Sequence, residues 1–86
     1  MKIQVYGPGC MNCKTLEQRA RRAAEELGLP TELEKVADIN AMIEAGVVRT
    51  PGLAIDGELM SQGRVNSVEE IKTLLQRFLA KRGEPQ

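Results

Sequence analysis

Two cysteines, Cys10 and Cys13, are the residues whose type and spacing could carry chemistry in this chain. They stand in Gly9-Cys10-Met11-Asn12-Cys13, three positions apart, which is nearly one turn of a helix. At that separation two thiols can close a disulfide on each other. Equally, one can release a partner that the other holds as a mixed disulfide. The sequence contains no histidine. This excludes Ser–His–Asp and Cys–His catalysis and removes the commonest ligand of zinc and copper. Thiols, carboxylates, amines and backbone are what remain.

The two sulfurs are not expected to be equivalent. Cys10 follows a glycine-rich turn and stands at a helix tip, where unpaired amides and the positive end of the helix dipole favour a thiolate. Cys13 falls on an apolar stripe with Leu16 and Ala20, so it should be the less exposed. Cys10 is then the nucleophile and Cys13 the resolving thiol. Lowering a thiol pKa from about 8.5 to about 7 raises the thiolate fraction at neutral pH roughly 16-fold. The weaker intrinsic nucleophilicity returns about fivefold of that. The larger benefits are a better leaving group and a second thiol held within reach.

The flanking sequence supplies the elements that would hold this pair. Lys2 to Tyr6 alternates polar and apolar as a first strand, and Gly7-Pro8-Gly9 breaks it. Cys13, Leu16, Ala20, Ala23 and Leu27 recur at helical steps, with Lys14, Glu17, Arg21 and Glu25 largely off the stripe. Gly28 and Pro30 end that helix. Thr31 to Val36 reads as a second strand whose charges suit a sheet edge. Asp38 caps a short helix carrying Ile39, Met42 and Ile43 and closed by Gly46. Asp56-Gly57 marks a hairpin between Leu53–Ile55 and Glu58–Ser61. Ser67-Val68-Glu69-Glu70 is a capping box. The helix that it opens buries Val68, Ile71, Leu75, Phe78 and Leu79 and stops at Gly83 and Pro85. The order β-α-β-α-β-β-α predicts an α/β domain over residues 1–86, with one mixed four-stranded sheet and helices on both faces. The first two strands are parallel, joined by a right-handed crossover.

Composition narrows the partners. Twelve basic and twelve acidic residues cancel, and there is one Tyr, one Phe and no Trp. Neither nucleic acid nor an anionic membrane is favoured. No secretory signal or apolar span is visible, so a cytoplasmic protein is expected, where paired cysteines are catalytic or metal-binding rather than structural. Arg19, Arg21 and Arg22 beside Glu25 and Glu26 read as a solvated helix face. Met11 and Met60 could flank the site, with packing filler the default reading for Met. Tyr6 reads as a core residue with its hydroxyl near the surface.

Within a cytosolic βαβ unit the spacing of the cysteines reads as a thioredoxin-like redox motif. The whole chain resembles the small thioredoxin-like redox-active disulfide proteins, which are of glutaredoxin size. The resemblance rests on Gly9-Cys10-Met11-Asn12-Cys13, Thr50-Pro51, the Asp56-Gly57 hairpin and Gly63-Arg64-Val65 leading to Ser67-Val68-Glu69-Glu70-Ile71. It implies a thioredoxin-like fold and a protein disulfide oxidoreductase. It also implies that Pro51 is cis and packs on the active disulfide, while the Thr50 backbone pairs with an extended substrate. Gly9, Met11 and Asn12 join Thr50 and Pro51 as the substrate-contact residues. The expected partners are protein disulfides and a separate reductase, with no cofactor, no metal and a monomeric chain. The sequence departs from thioredoxins in having Gly9 where they place Trp, and in a first strand without a carboxylate. Deprotonation of Cys13 therefore falls to another group or to water, with Lys14 a candidate. A single Gly63 followed by Arg64 stands where glutaredoxins carry the Gly-Gly and acidic motif for glutathione.

Two other readings use the same residues. A metal-binding or metal-delivery module could bind a thiophilic ion through the Cys10–Cys13 pair. A redox sensor could change a partner contact when the pair is oxidised. Catalytic turnover distinguishes the enzyme from both.

Overall fold

The computed structural model of the chain describes residues 1–9 and 11–81. Its elements are β1 (Lys2–Tyr6), α1 (Met11–Glu26), β2 (Glu32–Val36), α2 (Ile39–Glu44), β3 (Gly52–Ile55), β4 (Glu58–Gln62) and α3 (Val68–Lys81). They form one sheet in the order β2-β1-β3-β4. β1 and β2 run parallel with Ile3 opposite Leu33, while β3 is antiparallel to both β1 and β4.

Strand alternation divides the core between the two faces. Ile3, Val5, Leu53 and Ile55 pack on Leu16, Ala20, Ala23 and Ala24 of α1 and Ile71, Leu75 and Phe78 of α3. Tyr6 and Ala54 point the other way and meet Met42 of α2 and Val47. Helices therefore cover both faces, as the sequence implies. The three buried alanines keep α1 close to the sheet and to α3. Leu16, Leu53 and Leu75 are fully buried, each burial contributing roughly 1.5–3 kcal/mol.

The central strand β1 is tied to the hairpin by side chains as well as by its ladder. Asp56 Oδ1 accepts the Lys2 N–H at 2.7 Å, and buried Gln4 accepts the Gly57 N–H through Oε1 at 3.1 Å. Asp56 and Gly57 have φ of 49° and 85°, the positive pair that a type I′ turn requires. β4 carries one extra residue, Met60, opposite the Leu53–Ala54 step. Met60 packs on the α1/α3 core and its neighbour Leu59 on the α2 side, as strand alternation requires.

Local end signals are realised. Gly28, at φ 67°, closes α1 by a Schellman pattern: its N–H reaches Glu25 O, and Leu29 N–H reaches Ala24 O. Asp38 caps α2 by accepting the Asn40 N–H. The second strand begins one residue later than expected, at Glu32 rather than Thr31. In α2 only Met42 is buried, whereas Ile39 and Ile43 are 70% and 68% exposed. Those two isoleucines are four apart and share a helix face, and the sheet receives the face bearing Met42. Gly83 and Pro85, the expected stop of α3, lie outside the described residues.

The capping box of α3 is reciprocal. Ser67 Oγ accepts the Glu70 N–H at 3.1 Å, and Glu70 Oε1 accepts the Ser67 N–H at 3.0 Å. Chiefly through that backbone donor, and then through the nearby Arg64 charge, the Glu70 carboxyl lies below its ordinary value of 4.5 against an opposing desolvation effect. A carboxyl depressed in the folded state stabilises above its unfolded value. That contribution disappears as the pH falls through the folded value. Ser67→Ala should cost about 1 kcal/mol. Glu70→Gln should remove most of the acid weakening of the α3 start below about pH 4.5, which amide exchange of the first turn would read. An exchange profile identical in wild type and Glu70→Gln throughout that range would contradict this assignment.

Candidate functional site

β1 delivers the chain at Tyr6 into Gly7-Pro8-Gly9, and α1 begins at Met11. Cys10, expected as the nucleophile, lies outside the described residues. Cys13 sits in the first turn of α1, 5% exposed, on the helix face that continues through Leu16 and Ala20. This is the less exposed position that its place on the apolar stripe predicts. The first turn of α1 contains no acidic side chain to oppose an anion at the helix start.

Gly7 faces Cys13. A Cβ on Gly7 would lie well inside van der Waals contact of Cys13 Sγ, and 3.8 Å from Thr50 Cβ. Only a glycine lets the end of β1 pass between the helix thiol and the loop before β3. Read from sequence, Gly7 is a strand breaker; its packing role is visible only once the three segments are assembled.

That loop is held from β4. Gln62 Oε1 accepts the N–H groups of Val48 and Arg49 at 2.7 and 3.1 Å. Pro51 O accepts the Gly63 N–H at 3.0 Å, and Gly63 adopts φ 74° where a Cβ would stand 3.0 Å from Arg49 Cβ. The Thr50–Pro51 peptide is cis, as the resemblance implies, with Pro51 buried and Thr50 exposed. Gln62 has no local signal in sequence, because its partners lie more than a dozen residues away.

Of the residues expected to meet substrate, Gly9, Met11, Asn12 and Thr50 are exposed and Pro51 is buried. Met11 is 78% exposed, so it is not core filler. At the helix start its side chain projects away from the stripe that Cys13 and Leu16 occupy. Met60 does pack against the core. In the arginine cluster, Arg21 pairs with Glu17 and Arg22 with Glu26, while Arg19 Nη1 donates to Asn66 O across to the α3 side.

A cavity of about 210 Å³ opens beside Cys13, bounded on one side by Gly7, Pro8 and Gly9. Its other wall carries Lys14, Glu17 and Lys35. Among the described residues no three His, Cys, Asp or Glu side chains gather as a metal site.

Residues 1–76 match the family model of the thioredoxin domain. The chain belongs to the thioredoxin family. Thioredoxin of Methanothermobacter thermautotrophicus is 55% identical over 75 residues, covering 87% of this chain and 97% of that protein. Thioredoxin of Methanocaldococcus jannaschii is 40% identical over 77 residues, covering 90% and 88%. The structure of thioredoxin 1 from Thermosipho africanus superposes with a TM-score of 0.63 at 19% identity, covering 98% of this chain and all of that one, which shows the shared fold. As a thioredoxin-family member the chain is a thiol–disulfide oxidoreductase. Nothing in these likenesses favours the metal-binding alternative. No helix among the described residues is long and apolar enough to cross a membrane.

Proposed function

We propose that this thioredoxin-family chain reduces protein disulfides by a dithiol cycle in which Cys10 attacks and Cys13 resolves. The observation that carries the reading is the placement of Cys13: buried in the first turn of α1, against Gly7, three residues after Cys10. In the first step the Cys10 thiolate attacks one sulfur of the target disulfide. The other target sulfur leaves and takes up a proton. In the second step the Cys13 thiol loses its proton and attacks Cys10 Sγ. The second target sulfur then leaves and is protonated in turn. Two electrons have moved to the target, and a Cys10–Cys13 disulfide remains for a separate reductase to reduce.

The target segment lies across Gly9, Met11 and Asn12 on one side and Thr50 on the other, with buried Pro51 beneath. The exposed Met11 thioether supplies an adaptable apolar contact. The working unit in this reading is one monomeric domain over residues 1–86, acting in the cytoplasm. Dithiothreitol-driven reduction of insulin tests it. Multiple turnovers per chain are expected; a rate no higher than that of dithiothreitol alone would contradict the proposal.

A further inference from the structure

A buried thiol must lose its proton before it can attack, and Cys13 is 5% exposed. The structure shows what stands beside it. Among the described residues, the charged groups of the cavity wall next to Cys13 are Lys14, Glu17 and Lys35. A lysine ammonium has three donors and no acceptor, so neither lysine can take a proton while charged. Glu17 is the carboxylate of that wall. It follows Cys13 by four residues on α1, which places the two on neighbouring turns of one face. The sequence stripe puts Glu17 largely with the solvated side chains, yet its side chain is only 16% exposed.

Two cations hold the Glu17 carboxylate there. Lys35 Nζ, from the edge strand β2, lies 3.8 Å from Oε2, and Arg21 Nη2, one turn further along α1, lies 3.5 Å from Oε1. The Lys35 pair spans the gap between α1 and β2, the Arg21 pair lies along α1, and together they fix the carboxylate at the cavity wall. The cavity is open enough to admit water, which can carry a proton between Cys13 and Glu17.

We propose that Glu17 is the proton acceptor for Cys13 in the resolving step. This rests on the dithiol cycle described above. The Cys13 S–H bond breaks, and its proton passes to the Glu17 carboxylate through cavity water. The Cys13 thiolate forms the bond to Cys10 Sγ, and the target thiolate departs with the electron pair of the broken mixed disulfide. The proton on Glu17 then returns to solvent. Among the described residues, Lys14, Lys35 and Arg21 are the charged groups facing the pair from α1 and β2, and Cys10 precedes Cys13 by three positions in sequence. Their positive charge also favours the thiolate as it forms.

The reduced chain mixed with less than one equivalent of dithiobis-nitrobenzoate provides the test. Each reagent molecule releases one coloured thiolate when Cys10 attacks and a second when Cys13 resolves. Glu17→Gln should leave the first phase unchanged. It should slow the second about tenfold near neutral pH, less than a positioned acid–base group usually supplies because water competes. The gap should close in alkali, where hydroxide removes the proton, and Glu17→Asp should recover part of the rate. A second phase equal to wild type in Glu17→Gln, or slowed equally at every pH, would overturn the role of Glu17 alone. A wild-type chain that releases only the first thiolate would overturn the dithiol cycle, and this role with it.

Discussion

Cys10→Ser should abolish insulin reduction, while Cys13→Ser should retain one attack and accumulate as a covalent mixed disulfide with its target. The asymmetry follows from the two environments. Gly9, the residue before Cys10 in sequence, is exposed, and the first turn of α1 offers amide dipoles and no acidic side chain to oppose an anion at the helix start. A serine hydroxyl there has no comparable anionic form near neutral pH. The rate should fall on the order of a thousandfold or more, as removal of a nucleophile does elsewhere. Cys13 is buried behind Gly7 and cannot readily meet a protein disulfide itself. Its loss removes the release step, so turnover fails through trapping. Mass spectrometry of the captured species should find the link at Cys10. Equal trapping by the two variants would contradict the assigned roles.

Gly7→Ala should produce the second large effect. The added methyl would fall inside the contact distance of Cys13 Sγ. Both neighbours are constrained, since Cys13 lies on the buried face of α1 and Gly7 N–H is bonded to Val36 O at 2.9 Å. Overpacking of this kind costs about 1–3 kcal/mol. For a chain of this size the melting midpoint should drop about 4–8 °C for each kcal/mol. The methyl should also push the Cys13 sulfur from its path to Cys10, slowing the resolving step at temperatures where the variant is folded. Gly9→Ala offers the contrast. Gly9 has φ 86°, and among the described residues other than its chain neighbour no atom lies within 4 Å of where its Cβ would stand. Its cost is backbone strain of about 1–2 kcal/mol without a clash at the thiol. Thermal melts together with mixed-disulfide release would separate the two. Unchanged stability and release in Gly7→Ala would contradict the close approach.

Features set by short stretches of chain were legible in the sequence. The hairpin at Asp56-Gly57, the caps at Asp38 and Ser67 and the helix stop at Gly28 each depend on a few consecutive residues. So does the burial of Cys13, through its spacing with Leu16 and Ala20. The cis bond before Pro51 came from the family resemblance, because local chemistry leaves most prolines trans. The rest depends on elements far apart in sequence. Glu17 reads as solvent-facing until β2 brings Lys35 against it. Gly7 reads as a breaker until Cys13 and Thr50 close around it. Ile39, Met42 and Ile43 read simply as the apolar residues the short helix carries, but a six-residue helix presents only one narrow face to the sheet, and the sheet takes Met42. The sequence leaves deprotonation of Cys13 to another group or to water, with Lys14 a weak candidate, and a lysine ammonium lacks the acceptor for that task.

In the proposed cycle Cys10 and Cys13 exchange reversibly between dithiol and disulfide as one two-electron unit. Equilibration of the chain in glutathione redox buffers, followed by acid quenching, thiol alkylation and intact-mass measurement, tests this most directly. A single transition is expected between a doubly alkylated form and a form lighter than the dithiol by two hydrogens and resistant to alkylation. Stable glutathione adducts on separate cysteines, or two alkylatable thiols at every potential, would contradict it.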